Sequence, residues 1–321
     1  MKSISDYYKI IEKEISNLNL PNSPEKLYDP IEYILKIGGK RIRPILVLAA
    51  HQLYNPNFKN SLKAALAIEV FHNFTLMHDD IMDQAPLRRG SVTIHEKWGE
   101  NIAILSGDVM LVESYKLLMS VDDNNLRSIL CVFNKAATEV CEGQQMDMDF
   151  ETRDDVSIEE YLKMIEYKTS VLLAASLKIG AINGGASKKQ SNLLYEFGKN
   201  MGIAFQLQDD LLDAFGDPYK FGKQVGGDII ANKKTFLYLK ALEKASEHQK
   251  LDLIKLYSEK NNSQKKVELV KNIFLDLEIP LCTKKLIQSY HKKALKTFNL
   301  IQSENKNPLI EFFDKLIQRN S

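Results

Sequence analysis

The stretch His72-Asn-Phe-Thr-Leu-Met-His-Asp79-Asp80-Ile-Met-Asp83-Gln-Ala-Pro86-Leu-Arg88-Arg89-Gly90 closes an apolar helical run with three carboxylates and follows them with two arginines. At 3.6 residues per turn Asp79 and Asp83 share a face, so two hard oxygen ligands converge on one point, as a divalent cation requires. Pro86 and Gly90 predict the end of the helix just beyond. The carboxylates then sit at the negative end of the helix macrodipole, where something positive must offset them. A solvated acidic helix end is the plain alternative, and it leaves that placement unexplained.

The pattern recurs. Gly202-Ile-Ala-Phe-Gln206-Leu-Gln-Asp209-Asp210-Leu-Leu-Asp213 is a second apolar run ending in Asp-Asp-x-x-Asp, with Gly216, Asp217 and Pro218 to stop it. Two other Asp-Asp pairs, Asp122-Asp123 and Asp154-Asp155, lack the third aspartate and lie in polar surroundings. They act as internal controls, since only the pairs embedded in apolar helices complete the pattern.

Basic segments accompany the acidic ones. Gly38-Gly39-Lys40-Arg41-Ile42-Arg43-Pro44 precedes the apolar run from Ile45, with Pro44 expected as a first helical residue. Glycines, cations and a helix N-terminus together suit an anion, although a basic turn in water has the same composition. Tyr219–Thr235 is glycine-rich and holds Lys220, Lys223, Lys233 and Lys234, as suits either a lid over a polyanion or a solvated connection. His72, seven residues before Asp79, falls on nearly the same helical face. It could equally be a packed or surface histidine.

Helical periodicity dominates the rest. Ile4, Tyr7, Tyr8, Ile11, Ile15 and Leu18 predict a first amphipathic helix, broken by Pro21, Pro24 and Pro30. Long helices are predicted near residues 61–84, 101–120, 124–149, 157–181 and 189–215. Hardly any stretch alternates with period two, a pattern that supports an all-α fold. From Phe236 onward amphipathic helices continue, with residues 244–268 the most polar.

The 43 Lys and Arg nearly balance the 42 Asp and Glu, which leaves no overall field for nucleic acid or an anionic membrane surface. Charge-driven binding has to come from local segregation. Cys131, Cys141 and Cys282 are scattered and form no C-x-x-C pattern, which argues against a disulfide framework or a zinc site and for a reducing compartment. No window approaches the roughly eighteen apolar residues of a spanning helix, and a cytoplasmic location is expected.

One arrangement uses both acidic clusters and their basic neighbours: carboxylates hold Mg²⁺, and the Mg²⁺ together with the cations holds a diphosphate. With no nucleophile in evidence, catalysis would be electrostatic, by stabilising a departing diphosphate. The ordered set Gly-Gly-Lys-Arg-x-Arg-Pro, the first aspartate motif with Arg-Arg-Gly, Glu142-Gly-Gln, Lys168-Thr169, Phe-Gln-x-x-Asp-Asp and the Gly-Lys lid resembles the short-chain trans-polyprenyl diphosphate synthases over nearly the whole chain.

That resemblance implies a single polyprenyl synthetase domain over residues 1–321, an isoprenoid-synthase-like bundle of roughly ten helices around a central cavity, and a homodimer. It implies that Asp79 and Asp83 ligate two Mg²⁺ ions and Asp209 a third, with Asp80, Asp210 and Asp213 as supporting carboxylates. The allylic diphosphate would be held by Arg88, Lys168, Lys223 and Lys233, and isopentenyl diphosphate by Lys40, Arg43, His72 and Arg89. Oxygen dipoles around Thr169 and Gln206 would stabilise the allylic carbocation, and the released diphosphate would take the final proton. One departure from the family pattern is Asn232, which stands where glycine is commoner.

Phe74 and Phe71 lie five and eight residues before Asp79, about 7.5 and 12 Å along the helix axis. In the family an aromatic at the fifth position with a smaller residue at the fourth, here Phe74 and Thr75, resembles C20 enzymes, which implies geranylgeranyl diphosphate as main product. Farnesyl diphosphate (C15) is the alternative, and helical aromatics more often simply pack a core. A class I terpene cyclase would carry Asn/Asp-x-x-Ser-x-x-x-Glu at its second metal site, which Asp209-Asp210-Leu-Leu-Asp213 does not match. The intact aspartate motifs also argue against a non-catalytic partner subunit.

Overall fold

The computed structural model describes residues 3–216, 226–258, 264–303 and 306–317, and these are helical almost throughout. The chain divides into two compact units, one of Met1–Lys135, Ala175–Tyr195 and Ile301–Leu309, the other of Ala136–Ala174, Glu196–Leu300 and Ile310–Ser321.

In the first unit, α1 (Ile4–Ser16) starts from a capping box in which Ser3 and Asp6 each accept the other's backbone N–H, and its periodicity buries Tyr7, Ile11 and Ile15. Helix α2 (Glu25–Lys36) runs through Pro30 without a break, contrary to the break expected there. Pro30 is buried with Ile31, Ile34 and Leu35 on one apolar face, and that burial, at about 1.5–3 kcal/mol per large aliphatic side chain, outweighs one lost backbone bond. Helix α3 (Ile42–Gln52) begins two residues before Pro44, so the proline occupies the third position of the first turn, where no intrahelical partner is lost.

Helix α4 (Leu62–Met82) follows a 3-10 turn at Phe58–Ser61. Its residues are apolar on all sides, as befits a helix at the centre of a core, and Ala64–Phe71, Phe74 and Met77 are buried. Its buried polar groups answer one another: the Asn73 amide donates to Glu69 Oε1 at 3.2 Å and to the Glu69 carbonyl at 2.8 Å. Asp83 caps the helix, as Pro86 and Gly90 predicted. A short hairpin, β1 (Leu87–Arg88) and β2 (Ser91–Val92), comes next and has no sequence signal of alternation. Its turn residues Arg89 and Gly90 both have positive φ, 54° and 77°, which suits the twist of a two-residue hairpin. Helices α5 (Ile94–Trp98) and α6 (Glu100–Leu118) continue the first unit, and α7 (Asp123–Thr152) contributes residues to both.

In the second unit, α8 (Ile158–Ile165) also starts from a capping box, between Ser157 and Glu160. The helix predicted over 157–181 is interrupted by a π-helical turn, Glu166–Ser170, before α9 (Val171–Asn183). Helix α10 (Lys188–Phe215) ends where Gly216 and Pro218 predicted. Then follow α11 (Gly227–Ile230), α12 (Phe236–Lys244), α13 (Glu247–Ser258), α14 (Gln264–Asp276) and α15 (Ile279–Phe298). Tyr161, Leu207, Phe236, Leu253, Phe274 and Ile287 are among the buried residues they share. The polar stretch 244–268 is therefore mostly helical where described. A last helix, α16, covers Asn307–Ile317. Among the described residues no helix is long and apolar enough to cross a membrane.

Candidate active site

In the first unit the end of α4 separates its three aspartates by environment. Asp80 is buried, Asp79 half-buried and Asp83 exposed. The chain turns back after α4 at Gln84, whose φ is 47°, so that Arg88 Nε donates to both Asp80 oxygens at 2.8 Å, with Nη2 2.6 Å from Oδ1. Arg88 is thus the cation that a carboxylate at this helix end required. Asp79 and Asp83 stand one turn apart on the same face.

The basic residues of the same unit cluster about two helical turns earlier, around His72. Arg43 Nη1 lies 3.0 Å from His72 Nε2. A guanidinium only donates, so Nε2 accepts and the ring is neutral with its proton on Nδ1. Burial first, then the charge of Arg43, holds the His72 pKa well below its ordinary value, in agreement. Burial also lowers Arg43 to about 10, which leaves it charged near neutrality. Arg43 Nε is buried without a hydrogen-bond partner among the described residues, an orphan donor that an anion would satisfy. Arg89 Nη1 donates to the Gly38 carbonyl, and Lys40 is exposed. The structure therefore brings Arg43, His72 and the Gly38 loop with Arg89 together, as the sequence reading grouped them.

Upstream on α4, Phe74 and Phe71 pack ring on ring at 5.6 Å, Phe71 meets Phe133 at 5.0 Å, and Phe74 meets His78 at 4.7 Å. Thr75 turns its hydroxyl back onto the His72 carbonyl at 2.8 Å.

In the second unit Lys168 and Thr169 occupy the π-helical turn, a feature common at functional sites because it displaces side chains from the helical register. Gly143 on α7 and Gly202 on α10 lie against it. A Cβ at Gly143 would overlap Lys168 N and lie 2.8 Å from its Cα, and one at Gly202 would lie 2.7 Å from Ser170 Cα. Thr169 Oγ1 donates to Gln206 Oε1 at 3.1 Å, and Gln206 Nε2 donates to Asp210 Oδ1 at 3.0 Å. This chain fixes the amide and leaves the Thr169 lone pairs available to a cation. Tyr161, wholly within the core, donates its hydroxyl to Asp210 Oδ2.

Sequence reasoning gave no role to Asp147, yet its Oδ2 receives Lys168 Nζ at 2.6 Å and Lys233 Nζ at 3.3 Å. Burial alone would raise the Asp147 carboxyl, but the two lysines together lower it. Its signal was the spacing Gly143-x-x-x-Asp147, which sets Asp147 on the face that Gly143 presents to the π turn. Asp228 was likewise missed. Its N–H donates to Asp213 Oδ2 at 2.9 Å, and burial first, then the charges of Asp213 and Asp210, push its own carboxyl well above the ordinary range. Burial is also the main cause that raises Asp210 to about 7. Carboxylates crowded in this way are what a cation relieves.

Asn232, the departure noted in the sequence, adopts a left-handed φ of 56°, a conformation that asparagine tolerates better than other non-glycine residues. Its side chain accepts from the buried Lys266 at 2.5 Å, and Lys233 next to it reaches Asp147 and Glu151. Lys223 lies outside the described residues.

Among the described residues no three acidic, histidine or cysteine side chains are assembled to hold a metal. Mg²⁺ takes one or two carboxylates and completes its shell with water and substrate phosphate. Asp79 and Asp83 in one unit, and Asp209 with Asp213 in the other, are donors of that sparse kind.

The polyprenyl synthetase family profile matches residues 24–274. A geranylgeranyl diphosphate synthase of Methanosarcina mazei is 44% identical over 236 residues, 73% of each chain. A geranylgeranyl pyrophosphate synthase of Geoglobus acetivorans is 37% identical over 322 residues, covering 99% of this chain and 98% of that one. A crystal structure of a geranylgeranyl pyrophosphate synthase superposes with a TM-score of 0.95 at 45% identity, with 100% of each chain covered.

Proposed function

The chain belongs to the polyprenyl synthetase family, and from that premise we propose its reaction: head-to-tail condensation of isopentenyl diphosphate with an allylic diphosphate, releasing diphosphate. It is a trans-prenyltransferase. The observation that carries the reading is the π-helical turn of the second unit, where an oxygen pair, Thr169 and Gln206, adjoins two lysines gathered on Asp147. A carbocation and a departing diphosphate need those two chemistries side by side.

Lys168 and Lys233 exchange their shared carboxylate for the allylic diphosphate, and Lys223 and Arg88 join them. As the carbon–oxygen bond breaks, the lysines balance negative charge developing on the leaving group. Thr169 Oγ1 and Gln206 Oε1 direct their dipoles at the carbocation. Lys40, Arg43, His72 and Arg89 hold isopentenyl diphosphate, whose double bond attacks, and the released diphosphate takes the proton. Asp79, Asp83 and Asp209 would hold Mg²⁺, three ions in all, which would supply charge neutralisation of the leaving diphosphate. Because the family match runs through both units, they act as one polyprenyl synthetase domain over residues 1–321.

The product is geranylgeranyl diphosphate. The relatives' names and the pair Phe74 and Thr75 support this length over farnesyl diphosphate. Phe74→Ala is expected to lengthen the product distribution, read by chromatography of the dephosphorylated alcohols. Unchanged lengths would remove Phe74 as the floor.

We propose a cytoplasmic homodimer. Along α6 and its C-cap the apolar Leu105, Val112 and Met119 recur every seven residues and are 53–67% exposed, a stripe that a second copy would cover. Light scattering that returns the monomer mass would overturn the dimer. Purified protein given isopentenyl diphosphate, an allylic diphosphate and Mg²⁺ is expected to release diphosphate and form C20 product. Absence of any prenyl product would sink the reaction itself.

A further inference from the structure

Helix α1 ends at Ser16, before residue 24 where the family match begins, and the reaction as described makes no use of it. It nevertheless reaches the Gly-Gly-Lys-Arg loop. The side chain of Arg41 is wholly buried and divides its guanidinium among three elements: Nε donates to Glu12 Oε1 of α1, Nη2 to the Leu35 carbonyl of α2 and Nη1 to Glu69 Oε1 of α4, each at 2.6 Å. Glu69 is held in turn by Asn73. The backbone at Arg41 has φ 47°, a region that an arginine keeps only where its surroundings over-determine it. Three charge-assisted or carbonyl bonds in a rigid fork supply that constraint. The left-handed residue lies between Lys40 and Arg43, so it sets the directions in which both leave the backbone. The same loop's Gly38 carbonyl accepts from Arg89.

We propose that Glu12, Arg41 and Glu69 form a buried brace that positions the cations binding isopentenyl diphosphate, and that α1 is thereby a working part of the substrate site. The inference rests on assigning Lys40, Arg43, His72 and Arg89 to that substrate. The three brace residues are positioning residues, because the Arg41 fork is committed to protein acceptors. Glu69 has a second effect, since its charge favours the charged forms of Arg43 and Arg89.

The test is steady-state kinetics with each substrate varied in turn, alongside thermal melting. Glu12 is about a third exposed, so Glu12→Gln tests the brace without opening the core. It is expected to raise KM for isopentenyl diphosphate about threefold to tenfold, and Arg41→Lys about tenfold or more, with KM for the allylic substrate within about twofold. An unchanged KM for isopentenyl diphosphate in Glu12→Gln overturns the role of α1. Equal losses for both substrates, in proportion to lost melting temperature, overturn the brace as a positioning device. Arg43→Ala separates the premise from the inference. If it leaves that KM unchanged, the site assignment fails. If it raises KM while Glu12→Gln and Arg41→Lys do not, only the brace fails. Where Arg41→Lys does not fold, Glu12→Gln decides alone.

Discussion

Asp79→Ala and Asp209→Ala are each expected to lower kcat by about three orders of magnitude or more, since a single preorganised electrostatic contact is already worth about 10²–10³. The proposed chemistry uses no nucleophilic side chain, so the barrier falls only as far as the charge of the departing diphosphate is neutralised. Lysines alone supply part of that, and Lys168 and Lys233 must first leave Asp147. The remainder would come through Mg²⁺ that these carboxylates would hold, so loss of a ligand is expected to remove stabilisation made mainly in the transition state and to show in kcat. Chelation with EDTA should reproduce the loss and added Mg²⁺ restore it in the unaltered protein. Asp123→Ala is the control. Asp123 is exposed on the first turn of α7, and its loss should leave turnover unchanged. Full activity in both Asp79→Ala and Asp209→Ala would refute the mechanism.

The features legible in the sequence were those that depend on neighbours along the chain. The ends of α4 and α10 followed from Pro86 and Gly216 with their flanking residues, and the carboxylates sit at those ends as the spacing required. The grouping of Arg43 with His72, and of Thr169 with Gln206, came from the family resemblance that the motifs carry. What the sequence could not show depends on tertiary contact. Arg88 meets Asp80 only because a positive-φ residue, Gln84, turns the chain back after α4, and glutamine carries no signal for that conformation. Pro30 sits inside α2 because burial outweighed propensity. The π turn lies where α7 and α10 approach closely at Gly143 and Gly202, a tertiary contact that leaves no mark on the helical periodicity of the segment. Asp147 has meaning only once that turn is known, for it is the turn that brings Lys168 onto it.

Gly143 carries the last and most specific expectation. In an ordinary helix interior Gly→Ala stabilises by about 0.8–1.0 kcal/mol, because alanine loses less backbone freedom on folding. At Gly143 the sign should reverse. The new Cβ would overlap the backbone nitrogen of Lys168 and lie 2.8 Å from its Cα, and backbone cannot rotate aside as a side chain tip can. Either α7 or the π turn must move, at a cost of about 1–3 kcal/mol for overpacking, which outweighs the propensity gain. Movement of the turn displaces Lys168 and Thr169 together, and a misplacement near 1 Å costs about 10²-fold in rate. Gly143→Ala should therefore melt lower and lose about a hundredfold in kcat/KM for the allylic substrate. Gly202→Ala presses the same turn from α10, through Ser170, and should behave alike. Gly185→Ala is the informative contrast: it has open space around its Cβ position but a φ of 89°, so it should lower stability through backbone strain while sparing kcat/KM. If Gly143→Ala melts higher than the parent and keeps its rate, the close packing of α7 on the π turn is not what holds Lys168 in place.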